Sequence, residues 1–130
     1  MSTTIPTARD IRRLTKPALR TFFHIAEAWE LNRSDQMALL GLTATSTYQN
    51  WKADSDGRLT PDALERISYV FGIYKALQIL FPETHIADSW IKQPNKGLPF
   101  NGHSPLHHMR QGKVQNLLEV RNYLDSHRGS

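Results

Sequence analysis

The chain has 130 residues, of which 39% are apolar and 22% charged, so a packed core is possible and wholesale disorder is not expected. It contains no cysteine, which excludes disulfides and thiolate chemistry and favours a reducing compartment. No run of about eighteen apolar residues is present, and the opening MSTTIPTARDIRRL lacks the apolar core of a secretory signal. We therefore expect a cytoplasmic protein with no membrane partner.

The net charge of +4 is unevenly distributed along the chain. Residues 1–20 hold five basic and one acidic residue, residues 21–88 hold five and nine, and residues 89–130 hold six and two. A basic chain is typical of proteins that bind nucleic acid. The acidic middle, however, weakens the attraction to phosphates where a DNA-binding unit would lie.

The first predicted elements are a basic arm and a helix. Residues 1–16 show no apolar period and are predicted to form the arm. Pro17 suits the first turn of a helix, and apolar residues recur behind it at helical spacing. We predict a helix over residues 17–31.

A pair of short helices is predicted next. Asn32 is a typical N-cap for RSDQMALL, which Gly41 ends, and ATSTYQNWKA then forms a second helix with Trp51 anchored in the core. This pattern fits a helix-turn-helix as well as an ordinary helix pair. In the first case, side chains of the second helix contact phosphates and base edges: Ser46, Thr47, Tyr48, Gln49 and Lys52.

The longest predicted helix follows a clear start signal. In LTPDALER, Thr60 is the N-cap and Pro61 occupies the first turn, and the helix should end before Pro82. Two apolar stripes run along it: Leu64, Ile67, Phe71 and Tyr74 in one, and Val70, Ile73, Leu77 and Leu80 in the other. A helix that is apolar on two faces is usually central, with both stripes in the core.

The remaining sequence predicts further short helices. HIADSWIKQ forms a turn or two around Trp90, Ser104 and Pro105 start a short helix that ends before Gly112, and a last helix covers residues 113–126. No segment alternates with a two-residue period, so the fold class is all-α. We divide the chain into the arm, a helical region over residues 17–82 and a second region over residues 83–130.

No chemistry of its own is expected from this chain. His103, His107 and His108 are potential metal ligands, but His107 and His108 point about 100° apart on a helix and His103 precedes its cap. Catalytic motifs such as GxSxG, HExxH or a phosphate-binding glycine loop are absent. We predict that the protein is not an enzyme and holds neither a cofactor nor a metal.

The stretch PNKGLPFNGHSPLHHMRQG, residues 94–112, favours a shaped docking surface. Its three prolines each restrict a backbone angle, so the loop loses less entropy when a partner binds. The apolar residues around it have two possible roles, as a patch for a partner or as part of the domain's own core. They are Trp90, Phe100, Leu106 and Met109.

The order of these features resembles the Xre/MbcA/ParS antitoxins of bacteria over roughly residues 20–130. The resembling runs are LTPDALERISYVFGIYKALQILFP, SWIKQPNKGLPFNGHSPLHHMRQG and VQNLLEVRNYLDSHRG. The features that carry the resemblance are Trp90, Pro94-Asn95, Phe100, Gly102, Ser104-Pro105 and Gly112, with Tyr48 and Trp51 in an upstream Xre-like helix-turn-helix.

The resemblance implies a toxin-neutralising function. Such antitoxins bind and block a toxin with a RES domain, similar in fold to ADP-ribosyltransferases, that depletes NAD or modifies proteins with it. They often repress their own operon and assemble in pairs, which implies a homodimer within a toxin–antitoxin hetero-oligomer that also binds operator DNA. The alternative is a stand-alone helix-turn-helix transcriptional regulator.

The resemblance also implies the toxin-binding residues. They comprise the motif positions, their apolar neighbours and the C-terminal tail, which in relatives reaches towards the toxin's NAD pocket. These residues are Trp90, Pro94, Asn95, Phe100, Gly102, Ser104, Pro105, Leu106, Met109, Arg128, Gly129 and Ser130.

Overall fold

The computed structural model describes residues 8–53 and 59–127. Over these residues the protein is all-α, as predicted, and no strand is present in the described part. The helices are α1 (Ala8–Ala28), α2 (Arg33–Leu40), α3 (Thr45–Ala53), α4 (Pro61–Leu80), α5 (Thr84–Ser89), α6 (Pro105–Met109) and α7 (Val114–Ser126), with a single 3-10 turn at Trp90–Lys92 between α5 and α6.

The first helix begins earlier than the sequence predicted. Residues 8–16, assigned above to the arm, are helical, and Pro17 lies inside α1 instead of in its first turn. A proline inside a helix removes one backbone hydrogen bond and costs about 3 kcal/mol. Thr15, two residues before Pro17, is only 5% exposed. Packing of this turn against the rest of the protein thus opposes the break that Pro17 favours.

The predicted starts of α2 and α4 are confirmed by their capping hydrogen bonds. The Asp35 amide donates to Asn32 Oδ1 at 2.8 Å and the Asn32 amide donates to Asp35 Oδ2 at 3.2 Å, which closes a capping box. The Ala63 amide donates to Thr60 Oγ1 at 3.1 Å. At the other end of α2, Gly41 has φ of 73°, the left-handed conformation that ends many helices.

Helix α4 is central, as its two apolar stripes predicted. It contacts α1 and α7 most extensively and also packs against α2 and α5. Val70, Ile73 and Leu77 are fully buried in the core that these helices share. Phe71 is an exception to the predicted stripes, because its side chain is 43% exposed and the Lys75 ammonium lies 5.5 Å from its ring centroid.

Two arginines, Arg110 and Arg66, join the end of α6 and the turn after it to α2 and α4. Arg110, which follows α6, donates from Nη2 to Ser34 Oγ at 2.9 Å and pairs from Nη1 with Asp35 Oδ1 at 3.2 Å, both on α2. Arg66 of α4 donates to the Gly112 carbonyl at 2.8 Å. These contacts fix the position of α6 relative to the α2–α3 pair.

Candidate functional site

The loop over residues 93–104, which joins the 3-10 turn to α6, is closed by backbone hydrogen bonds across its base. The Gly102 amide donates to the Asn95 carbonyl at 2.7 Å, and the Asn95 amide donates to the His103 carbonyl at 3.1 Å. Asn101 and Gly102 both have positive φ, of 52° and 92°, where the chain reverses. We call residues 93–104 the docking loop.

The Asn95 side chain organises the interior of the docking loop. Its Oδ1 accepts from the Gly97 amide at 2.8 Å, and its Nδ2 donates to Tyr123 Oη of α7 at 3.4 Å. A Cβ at Gly97 would lie 3.1 Å from Asn95 Oδ1, so a larger residue there would crowd the Asn95 side chain, whereas its 3.5 Å distance to Tyr123 Oη is an ordinary contact. The Phe100 amide donates to the Gly97 carbonyl at 2.8 Å, which tightens the turn further.

An aromatic cluster around the buried Phe100 ring packs against the docking loop on its core side. The Phe100 ring meets Tyr123 edge-on at 5.0 Å, Trp90 at 6.0 Å and the His108 ring at 5.9 Å between centroids. His108 Nε2 in turn donates to Glu119 Oε1 at 2.8 Å. Aromatic pairs in this geometry contribute about 0.5–1.5 kcal/mol each beyond their burial. The docking loop is therefore held in one shape by α6 and α7.

The outer face of the loop is exposed and carries basic and imidazole groups. Lys96 and His103 of the loop are exposed, and so is His107 of α6. The His103 and His107 rings stack with centroids 4.3 Å apart. An open groove of about 330 Å³ lies beside them and is lined by Ser104, Leu106, His107, Arg110 and Gln111.

The apolar residues predicted near the loop belong mainly to the protein's own core. Phe100 is 2% exposed, Met109 1% and Leu106 9%, whereas Trp90 is half-buried. Of the two roles that the sequence left open, the structure assigns these three to the core. A partner cannot contact Phe100 or Met109 directly in this conformation, because other side chains of the chain cover them.

The other predicted toxin-binding residues lie in or next to the docking loop. Ser104 is the N-cap of α6, as predicted, and its Oγ accepts from the His107 amide at 3.1 Å; Pro105 begins the helix, also as predicted, but its side chain is buried. Pro94 and Gly102 are exposed, and Asn95 is half-buried. Arg128, Gly129 and Ser130 lie outside the described residues.

Helices α2 and α3 form the predicted helix pair, and most of the candidate DNA contacts lie on its surface. Ser46, Gln49 and Lys52 are exposed and Thr47 is half-buried. The prediction was wrong for Tyr48, which is 3% exposed and donates from its hydroxyl to Gln36 Oε1 of α2 at 2.8 Å. Tyr48 thus holds α3 against α2, together with the buried Trp51, and does not reach the surface.

Sequence reasoning missed two residues of this region. Tyr123 supports the loop through its ring and its hydroxyl, and its only signal was its place one helical turn after Val120. Leu98, at the tip of the docking loop, is 76% exposed. Its signal was an apolar residue between a glycine and a proline in a loop that is otherwise largely polar.

In the part of the chain that the structure describes, no three histidine or carboxylate side chains are placed to share a metal ion. None of the helices over residues 8–53 and 59–127 has the length and hydropathy needed to cross a bilayer.

Comparisons with known proteins cover both halves of the chain. Residues 12–72 match the antitoxin Xre-like helix-turn-helix domain, and residues 76–129 match the antitoxin Xre/MbcA/ParS C-terminal toxin-binding domain. The chain is also 45% identical over 111 residues to the uncharacterized protein y4oB of Sinorhizobium fredii (strain NBRC 101917 / NGR234). The aligned region covers 85% of this chain and 84% of that protein.

The first matched region contains α2, α3 and the buried Tyr48 and Trp51, and the second contains the docking loop with the helices that support it. The sequence motifs, the order of the helices and the two matched domains all indicate the same family. The chain belongs to the Xre/MbcA/ParS antitoxins, with an Xre-like helix-turn-helix domain followed by a toxin-binding domain.

Proposed function

We propose that this antitoxin neutralises a RES-domain toxin that consumes NAD, by binding it directly and blocking its active site. The observation that carries the proposal is the docking loop, which lies within the toxin-binding match and is held in one exposed shape. A loop ordered before binding loses little conformational entropy when a partner docks, so more of the contact energy appears as affinity.

The tail is the part that we propose to enter the toxin's active site. Arg128 would place a planar guanidinium, with five N–H donors, among the acidic and carbonyl groups that bind a dinucleotide. Gly129 allows the backbone to pass through a narrow cleft. In this proposal, the docking loop provides affinity and residues 128–130 provide the block.

The proposal includes the setting in which the antitoxin acts. It is a cytoplasmic binding protein without catalytic activity, metal or cofactor, and it acts as a homodimer within a toxin–antitoxin hetero-oligomer. The domain boundaries that we propose remain the basic arm, the helix-turn-helix region up to residue 82 and the toxin-binding domain from residue 83.

The first experiment measures NAD. The toxin encoded beside this antitoxin is purified and its NAD consumption is followed with and without an equimolar amount of the full chain. We expect consumption to stop at equimolar protein. Undiminished consumption despite an excess of antitoxin would refute the proposal.

A truncated antitoxin separates binding from blocking. Deleting residues 128–130 removes the proposed blocking group and leaves α7 and the docking loop intact. We expect complex formation to weaken by less than about threefold while most of the inhibition is lost. If binding and inhibition fall by the same factor, the tail is an ordinary contact and does not block the active site.

The second activity that we propose is binding to operator DNA, by which the antitoxin represses its own operon. The alternative to toxin neutralisation is a stand-alone transcriptional regulator. The support for DNA binding is the exposed row of Ser46, Gln49 and Lys52 on α3, the second helix of the matched helix-turn-helix domain. In helix-turn-helix proteins this helix enters the major groove. Since Lys52 is the one basic residue of α3, other parts of the assembly must supply most of the phosphate contacts.

Mobility shifts with the antitoxin's own promoter at two salt concentrations test this activity. We expect Gln49→Ala to reduce discrimination between promoter and unrelated DNA, and Lys52→Ala to weaken binding to both and lower the salt dependence. Lys75→Ala, an exposed lysine on α4, is the charge-matched control. Unchanged binding by the double variant Gln49→Ala and Lys52→Ala would mean that α3 does not contact the bases. Promoter binding without inhibition of the toxin would favour the stand-alone regulator.

A further inference from the structure

The tip of the docking loop presents an apolar side chain to solvent. Leu98 is 76% exposed, whereas the other exposed large apolar side chains of the described residues are between 41% and 57% exposed. A single exposed leucine is common on protein surfaces. Leu98 differs because both of its neighbours and the whole loop around it are fixed.

The loop holds Leu98 away from the protein's own core. Gly97 is packed against Asn95 and Tyr123, and Phe100, two residues after Leu98, is buried in the aromatic cluster. The backbone bonds from Gly102 to Asn95 and from Phe100 to Gly97 close the turn between them. Moving Leu98 inward would require breaking these contacts, so its exposure is a property of the loop.

The docking loop that carries Leu98 contains basic and neutral residues and no carboxylate. Lys96 precedes it by two residues, and His103, with its stacked partner His107, lies at the base of the same loop. In the described part of residues 89–130 the carboxylates are Glu119 and Asp125, and both are paired, with His108 and with Arg121. The loop therefore presents no free carboxylate beside Leu98.

We infer that Leu98 is the apolar anchor of the toxin interface, and that it inserts into an apolar cavity on the toxin whose rim carries carboxylates. This inference rests on the proposed toxin binding and adds the residue that anchors it and the chemistry of the surface that receives it. A preordered apolar side chain in a fully desolvated pocket is the usual centre of a tight interface. Complementary charges around it accelerate association and exclude other partners.

Binding of the purified toxin to full-length variants tests the anchor. We expect Leu98→Ala to raise the Kd about 10- to 100-fold, since it removes most of a leucine side chain that the proposed complex buries, and Leu98→Asp to raise it more. Leu98→Met, which conserves volume and polarity, should stay within about threefold of the wild type. Leu14→Ala is the matched control, because Leu14 is a 41% exposed leucine on α1, outside the toxin-binding domain.

Thermal unfolding of the same variants shows that folding is not the cause. Since Leu98 contributes little to the core, Leu98→Ala should keep the wild-type Tm within about 2 °C. A large fall in Tm would show a structural role and would contradict the inference. Equal losses of affinity in Leu98→Ala and Leu14→Ala would contradict it too.

Charge reversal tests the acidic rim. We expect Lys96→Glu to lower the association rate several-fold at low salt and to reduce its dependence on ionic strength, whereas Lys75→Glu should not. An unchanged rate would show that the rim is not acidic. If wild-type antitoxin binds the toxin and all Leu98 variants bind equally well, the inference is wrong and the proposed function stands. If the wild type does not bind, the proposed function falls and this inference with it.

Discussion

At the scale of single residues, two polar side chains, those of Tyr48 and Asn95, make hydrogen bonds that connect one element to another. Tyr48 and Asn95 are both motif positions, and the structure uses their polar atoms inside the molecule. The Tyr48 hydroxyl bonds to Gln36, whose Nε2 donates to the Leu31 carbonyl at 2.8 Å. A short chain of buried hydrogen bonds therefore joins α3, α2 and the end of the turn after α1.

Tyr48→Phe removes the donor of this chain. Gln36 Oε1 loses its partner in a buried site, so we expect the free energy of unfolding to fall by about 1–2 kcal/mol in urea denaturation. Gln49→Ala, one residue further along α3 and exposed, should change it by less than about 0.5 kcal/mol. Equal stabilities of the two variants would show that the hydroxyl bond does not stabilise the helix pair.

Gly41→Ala tests the end of α2. Gly41 has φ of 73°, and a Cβ there would lie 2.7 Å from Arg66 Nε, so the substitution adds a clash to backbone strain. The clash matters because Arg66 is 8% exposed and already bound to Asp62 and the Gly112 carbonyl. Gly102→Ala, at φ of 92° with open space for a Cβ, is the control for strain alone. We expect the larger loss of stability at Gly41, and a larger loss at Gly102 would contradict the role of Arg66.

At the scale of elements, the docking loop is held in place by α6 and α7, the two helices that follow it in the chain. Its shape depends on Asn95 within the loop and on Tyr123 of α7, 28 residues later. Long-range support of this kind explains why the chain can present a loop with almost no regular structure as a fixed surface. It also places the loop's rigidity under the control of a few side chains.

Asn95→Ala removes the side-chain oxygen that accepts from the Gly97 amide and the amide group that donates to Tyr123. We expect hydrogen exchange at Gly97 and Phe100 to accelerate by about tenfold or more, because the loop opens locally without global unfolding. Toxin affinity should fall with it, since a mobile loop loses more entropy on binding. Gln93→Ala, exposed at the start of the loop, is the control, and exchange that is equally unchanged in both variants would show that Asn95 does not hold the turn.

At the scale of the whole molecule, Arg110 connects the two matched domains. It follows α6, lines the groove beside His107 and contacts Ser34 and Asp35 at the start of α2. Asp35 is also part of the α2 capping box, so the same carboxylate serves the helix cap and the contact between domains. The Arg110 contacts, together with the bond from Arg66 to the Gly112 carbonyl, thus join the toxin-binding domain to the helix-turn-helix domain.

Arg110→Ala breaks this connection. Since the Arg110 side chain is 42% exposed, we expect a loss of stability of no more than about 1 kcal/mol. A double-mutant cycle with Ser34→Ala should give a coupling energy of about 0.3–1 kcal/mol, and additivity within error would show that the two side chains do not interact. Arg121→Ala, which removes a pair within α7, is the control and should show no coupling to Ser34→Ala.

The local chemistry of the chain was sufficient to predict most helix boundaries. Asn32, Thr60 and Ser104 mark the starts of α2, α4 and α6, and each cap bond is present in the structure, because such signals depend only on residues within one turn. The order of motifs was also sufficient to identify the family.

Only the tertiary structure decided which side chains face outward. Phe100 went to the core and Leu98 to the surface, although both are apolar residues of one irregular segment without a period to separate them. The helix through Pro17 and the burial of Tyr48 were likewise set by packing between distant elements. Burial depends on contacts between residues that are far apart in sequence. The local sequence pattern therefore predicts where a helix starts better than it predicts which helices pack against it.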